Sequence, residues 1–223
     1  MKIGIIGGTG GMGNGFAIRW CKNHEVLIGS RDVVKATEAA LEYSKSAIEQ
    51  YGTIKGIIAG KDNLSVAKES DVLVLSIPYE NIDSICSQLL PNVKDDCVVI
   101  SPIVPLKKTE AGFEFISFIE KKPSAFELVQ KHMKNKSKLV AAFHTISEKK
   151  LIDSKLILDS DIFVCGDDQN SIEIVNGLIK EIKSLRPLLL GPGSLSYLAE
   201  ITTPILLNAM IKNKMRNPGI KII

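Results

Sequence analysis

Apolar positions along this chain gather into short continuous runs, separated by longer stretches in which they recur every three or four residues. Residues 3–6 and 26–28 are runs of the first kind, and their length predicts buried strands. Residues 32–50 carry Ala36, Ala39, Ala40, Tyr43 and Ala47 at helical spacing. The glycine-rich stretch 52–60 fits either a loop or a short strand, and 64–69 a short helix. Residues 71–77 form the clearest buried-strand run, which Pro78 ends. A helix over 80–90 and a strand over 97–100 follow. Ser101-Pro102-Ile103-Val104-Pro105 then makes a stiff turn that cannot extend a hydrogen-bonded ladder. Ser124, after Pro123, suits the N-cap of a helix over 124–134, and 139–143 is another strand. Alternating strands and helices predict an α/β fold: a doubly wound, mostly parallel sheet with right-handed crossovers. Beyond residue 147 the rhythm changes. Strands at 162–165 and 188–190 flank a helix over 170–185, and 197–212 is a long apolar helix broken near Pro204. This tail predicts a small, largely helical domain over 148–223, covering the strand ends of a domain over 1–147.

The chemistry enters at the first turn. Gly8-Thr9-Gly10-Gly11-Met12-Gly13 lies between the first strand and a helical stretch, and matches G-x-G-x-x-G. The first glycine permits a tight turn, the second a close approach of backbone to a pyrophosphate, and the third close helix–strand packing. The helix start adds free N–H groups and a positive dipole end. This makes 1–147 a Rossmann-type dinucleotide-binding domain. After the second strand, NAD-binding versions place Asp or Glu to accept from the ribose 2′-hydroxyl. Here Ser30 and Arg31 occupy that place, with Lys35 one helical turn on. A hydroxyl and two cations suit a 2′-phosphate that a carboxylate would repel, so the sequence points to NADP(H).

Composition narrows the remainder. With 223 residues and 45% apolar content the chain can bury an ordinary core, and a net charge of +3 without a basic aromatic stripe argues against nucleic acid. No run reaches the ~18 apolar residues a membrane helix needs, and the N-terminal run is too short for a signal peptide. Cys21, Cys86, Cys97 and Cys165 are scattered, mostly within apolar runs, as expected of reduced thiols in a cytoplasmic protein. His24 and His132 read as surface residues, and no His or Cys spacing suits a metal. Ser76-Ile77-Pro78-Tyr79, the turn 101–105 and His144 each end a strand and should face the cofactor crevice. Tyr79 and Val104 fit its walls. His144 fits either a proton donor or orienting group near a nicotinamide, or a histidine bonded to nearby backbone.

Several later segments carry a resemblance. Gly29-Ser30-Arg31, Ile77-Pro78, Ser101-Pro102-Ile103-Val104-Pro105, Phe143-His144-Thr145-Ile146 and Val164-Cys165-Gly166-Asp167-Asp168 occur in one order with the opening glycine cluster. So do Leu185-Arg186-Pro187-Leu188, Gly191-Pro192, Thr203-Pro204 and Gly219-Ile220-Lys221. Together they resemble the F420:NADP oxidoreductases along nearly the whole chain. The resemblance implies homodimers that move a hydride directly between NADP(H) and the deazaflavin coenzyme F420. It implies Thr9, Gly10, Gly11 and Met12 on the pyrophosphate, Ser30, Arg31 and Lys35 on the 2′-phosphate, Tyr79 and Val104 along the dinucleotide, and a deazaflavin contact near Pro218; Gly8, Gly13, Ile77, Pro78, Pro105 and Glu148 are further cofactor-binding candidates. It departs from the family at Tyr79, where Trp is expected, at the polar pair Ser147-Glu148, at Pro218 and in a longer 44–60 stretch. The residues by themselves also admit an NADPH-dependent reductase of a flavin, ferric iron or a cyclic imine, or an NADPH-binding redox sensor.

Overall fold

The computed structural model describes residues 1–223. In chain order the elements are β1 (Lys2–Ile6), α1 (Gly11–Trp20), β2 (Glu25–Ser30), α2 (Val33–Tyr51), β3 (Ile58–Asp62), α3 (Asn63–Glu69), β4 (Val72–Leu75), α4 (Ile82–Leu89) and β5 (Val98–Ser101). There follow a hairpin of β6 (Leu106–Lys108) and β7 (Phe113–Phe115), then α5 (Ile116–Ile119), α6 (Ala125–His132) and β8 (Leu139–Ala141). The last elements are α7 (Glu148–Ile152), β9 (Ser160–Gly166), α8 (Gln169–Glu181), β10 (Leu185–Gly191), α9 (Ser196–Glu200) and α10 (Thr202–Lys212).

Eight strands form one sheet in the order β10-β9-β8-β5-β4-β1-β2-β3. All neighbours are parallel except β8 and β9. The doubly wound α/β fold is therefore present, and β1 is its centre. From β1 the chain winds outward through β2 to β3, then crosses back to β4 on the other side. Two carboxyl strand ends diverge at this switch point, which opens the crevice where such folds bind ligands. Two strands from beyond residue 147, β9 and β10, extend the same sheet, so the tail is not wholly helical and shares the sheet of residues 1–147.

Buried apolar clusters cover both faces of the sheet. The first centres on an aromatic group. Phe16 and Trp20 lie one helical turn apart on α1 and stack at 4.5 Å, while Phe143 meets both rings edge-on at 5.0 and 5.8 Å. All three are fully buried. The Trp20 indole N–H donates to the Leu178 carbonyl at 3.1 Å, so α1 also grips α8.

Some expected boundaries shift for local reasons. The helix expected over 170–185 ends at Glu181, because Ser184 adopts a φ of +68° and Leu185 already starts β10. The break in the last helix falls at Ile201. Pro204, in the first turn of α10, has no N–H to donate and its ring would collide with the carbonyl four residues earlier, at Glu200. His24 is buried, bonded through Nε2 to Glu181 at 2.9 Å, which corrects its reading as a surface residue. The four cysteines are all buried and unpaired with one another.

Phe16→Ala should destabilise the protein by about 3–5 kcal/mol, the usual range for emptying an aromatic core site. Urea unfolding of the two proteins measures the difference, and a loss below about 1 kcal/mol would show that α1 does not depend on this cluster.

Candidate active site

The glycine turn is set by how closely α1 approaches β1. A Cβ on Gly13 would overlap the backbone of Gly8, and one on Gly8 would lie 2.8 Å from the Ile5 carbonyl oxygen. These positions accept only glycine if the helix is to sit where it does. Gly7 turns the chain with a φ of +71°. Gly10 is different: a Cβ there would have nothing nearer than the Gly7 carbonyl oxygen, at 3.9 Å. The space beside Gly10 is open, and it lies at the N-cap of α1, next to the unpaired N–H groups of the helix start. A diphosphate fits this cradle on both shape and charge.

The Gly8 N–H donates to the Gly29 carbonyl at 3.1 Å, which ties the turn to the end of β2. There the Ser30 hydroxyl accepts from the Asp32 N–H at 3.2 Å, and Asp32 caps α2 through the N–H groups of Val34 and Lys35. Asp32 is thus engaged in holding the helix. Arg31 and Lys35 are exposed, and neither forms an ion pair. Two free cations at this strand end fit a 2′-phosphate.

Beside the turn lies a cavity of about 1000 Å³. The structure brings Met12, Ile77, Pro78, Tyr79, Val104, His144, Glu148 and Pro218 to its wall. Pro105 is buried behind Val104 and does not line it, while Ser30, Arg31, Lys35 and the glycines stand outside it, on the cradle side. The far wall comes from the C-terminal helix, as a tail that closes the cleft requires, but its residues were not singled out in the sequence: Leu206, Leu207 and Met210 of α10, with Met215 and Arg216 beyond it. Their one signal was the apolar run of the last helix, which reads equally well as core.

Two wall residues are held firmly. The Tyr79 hydroxyl donates to the Pro123 carbonyl at 2.8 Å, and burial pushes its pKa up to about 12. His144 follows Phe143, which adopts a left-handed φ of +69°. That conformation is strained for a bulky side chain and is held by the Phe16 and Trp20 rings. The Thr203 hydroxyl donates to the His144 carbonyl at 2.7 Å and so ties this turn to α10. The imidazole itself is buried, yet neither ring nitrogen has a hydrogen-bond partner in the protein. Burial lowers its pKa to about 3, so it is neutral at ordinary pH. Both nitrogens are sealed from solvent, so a bound molecule meets them only where the wall gives way.

Glu148 approaches from the other side. A Cβ on Gly11 would lie 2.7 Å from its carboxylate oxygen, so this acid stands against the first turn of α1. Glu200, fully buried on α9, accepts from the Ala125 and Phe126 N–H groups at 3.1 Å each and thereby caps α6. Burial raises its pKa to about 7, against the pull of those two bonds.

Comparisons with known proteins place the chain in a family. Residues 2–105 match the family model described as NADP oxidoreductase, coenzyme F420-dependent. An F420-dependent NADP reductase of Methanocaldococcus jannaschii is 38% identical over 222 residues, covering 100% of this chain and 98% of the relative. The chain belongs to the F420-dependent NADP reductase family. A second reductase of that name, from Methanothermobacter thermautotrophicus, is 32% identical over 100% of this chain and 94% of its own length. A crystal structure from Arthrobacter sp. fb24, assigned to the same reductases, superposes with a TM-score of 0.79 over 100% of this chain and 99% of that one. At 20% identity it bears on the fold alone. The F420-dependent NADP reductases are oxidoreductases, which fits a cradle for one dinucleotide opening into a cavity with an apolar far wall.

The buried groups give a pH signature. The folded state lowers the His144 pKa from 6.5 to about 3, so the stability that goes with neutral His144 is whole above pH 6.5 and is lost as pH falls toward 3. Glu200 has the opposite sign: its pKa rises from 4.5 to about 7, so its contribution is whole below pH 4.5 and is lost as pH rises through 7. His144→Gln should therefore lose less stability than the wild type between about pH 6.5 and 4, by urea unfolding at several pH values. Parallel curves for the two proteins would contradict a neutral, buried His144.

Proposed function

We propose that this protein transfers a hydride directly between NADP(H) and coenzyme F420, with the dinucleotide along the glycine turn and the deazaflavin in the cavity. One observation supports the assignment of sites: the turn is open beside Gly10, and Met12, two residues on in the same helix start, lines a cavity whose far side is the largely apolar face of α10. Ser30, Arg31 and Lys35 hold the 2′-phosphate. Each charge-assisted hydrogen bond to it is worth about 1.5–3 kcal/mol, so two of them favour NADP(H) over NAD(H) by about a hundredfold or more. Gly8, Thr9, Gly10, Gly11, Met12 and Gly13 cradle the pyrophosphate. Ile77, Pro78, Tyr79, Val104 and Pro105 line or brace the path of the dinucleotide. Glu148 can only accept hydrogen bonds, so it suits a ribose hydroxyl better than a phosphate oxygen.

The nicotinamide and deazaflavin rings supply the redox chemistry when bound. The protein's task is to stack them, and near-attack geometry alone can account for a large part of a barrier. Neutral His144 orients one ring or its amide and does not act as an obligatory acid. Pro218 and α10 cover the deazaflavin. On this reading the division at residue 147 is functional: 1–147 holds NADP(H), and 148–223 closes the acceptor side. The exposed apolar side chains Ile205 and Ile211 on α10 support a homodimer. Buried reduced thiols support a cytoplasmic setting, and no helix is long and apolar enough to cross a membrane.

Mixing the protein with NADPH and F420 should bleach the F420 absorbance, whereas free flavin, ferric citrate or a cyclic imine should not turn over. Faster turnover of one of those acceptors would overturn the assignment. Arg31→Glu should abolish most of the preference for NADP(H), measured as dissociation constants of both dinucleotides. Equal affinities for NADP(H) and NAD(H) in the wild type would sink the 2′-phosphate site.

A further inference from the structure

The last eleven residues are mostly exposed, yet they are fastened to the fold. After α10 the chain turns through Lys214 and Asn217, both with left-handed φ values of +52° and +46°. Met215, Arg216, Asn217 and Pro218 then form part of the cavity wall. This strap has no strand or helix of its own, so its position depends on its ends. At one end α10 is fastened to the hairpin: the Asn208 amide accepts from the Phe113 N–H at 2.8 Å and donates to the Phe113 carbonyl at 2.7 Å, as a neighbouring strand would.

The other end is fastened to the sheet. Asp161 on β9 is 1% exposed and faces Arg186, its register partner on β10. The guanidinium grips the carboxylate with both arms, Nε to Oδ1 at 2.7 Å and Nη2 to Oδ2 at 2.8 Å. The same pair holds the tail. Asp161 Oδ2 accepts from the Ile222 N–H at 2.7 Å, and Arg186 Nη2 donates to the Ile222 carbonyl at 2.6 Å. The Asp161 N–H donates to the Ile220 carbonyl at 2.7 Å. Gly219 packs so tightly on Ser160 that a Cβ there would overlap its hydroxyl. A surface ion pair would be worth little, but here the carboxylate is buried, and both it and the guanidinium bond the Ile222 backbone of the tail. The guanidinium lowers the Asp161 pKa, so the carboxylate stays charged and the grip persists at neutral pH.

We propose that Asp161 and Arg186 are positioning residues: a latch that pins residues 219–222 to the sheet and so holds the 215–218 strap in place as a wall of the acceptor cavity. The part of this proposal that concerns the acceptor rests on the reading of the cavity as the F420 site. The latch itself does not, and the cradle of the dinucleotide lies outside its reach.

Asp161→Asn keeps the size of the side chain and removes its charge. Amide exchange at Ile220, Lys221 and Ile222 should become at least tenfold faster. The KM for F420 should rise about tenfold, kcat should stay within threefold, and the dissociation constant for NADPH should stay within twofold. Deleting residues 221–223 removes the grip without touching the sheet and should reproduce this split, which covers the case in which Asp161→Asn does not fold. Arg186→Lys, with one ammonium in place of two arms, should fall between. Unchanged tail exchange in Asp161→Asn overturns the latch. A freed tail with an unchanged KM for F420 overturns the strap as a cavity wall. Absence of F420 turnover in the wild type would count against the functional reading alone, since the exchange measurement would still decide the latch.

Discussion

The contact between α1 and the sheet is the constraint on which the site depends. Gly8 and Gly13 let the helix and β1 approach as closely as two backbones can, and no residue with a Cβ fits at either position. That approach does two things at once. It aims the start of α1 at the crevice, beside the open space at Gly10. It also drives Phe16 and Trp20 into the core, where they hold Phe143 in a left-handed conformation. His144, the next residue, is thereby fixed at the cavity wall with both ring nitrogens free. Cradle and cavity are two consequences of one packing decision.

The electrostatics follow a division of labour. The cations suited to the 2′-phosphate are exposed at the end of β2, where the cost of desolvating them is small. The groups around the cavity are mostly apolar or held neutral. His144 loses its charge by burial, and Tyr79 keeps its proton. The apolar and neutral parts of the wall suit ring stacking, while the cations suited to the 2′-phosphate stand outside it. The charged lining residues are Glu148, Lys149 and Arg216, and the place of Glu148 against Gly11 puts a carboxylate at the junction between the two regions.

Much of this was legible in the chain because the early motifs are local. G-x-G-x-x-G, the strand after it and Ser30-Arg31 lie within thirty-one residues, so spacing alone set their geometry. The strand-end residues Ile77, Tyr79, Val104 and His144 were readable because a parallel sheet sends its carboxyl ends to one edge. What was not legible depends on distant contacts. The hairpin strands β6 and β7 are three residues each, with Lys107 and Lys108 exposed, and carry no periodic signal. That β9 runs antiparallel to β8 is decided by the excursion through residues 142–159, not by the composition of β9. The α10 wall and the tail latch join residues whose bonds span up to 95 positions in sequence, and their apolar and charged side chains look ordinary one at a time.

With the two rings stacked face to face in the cavity, as proposed, hydride passes between them without meeting solvent. The most direct test uses NADPH deuterated at the transferable nicotinamide position, with F420 as acceptor in ordinary water. The account predicts one deuterium retained in each reduced F420, with no washout as turnover proceeds. Loss of the label to solvent, at a rate matching turnover, would contradict it and require a proton-exchanging group between the rings.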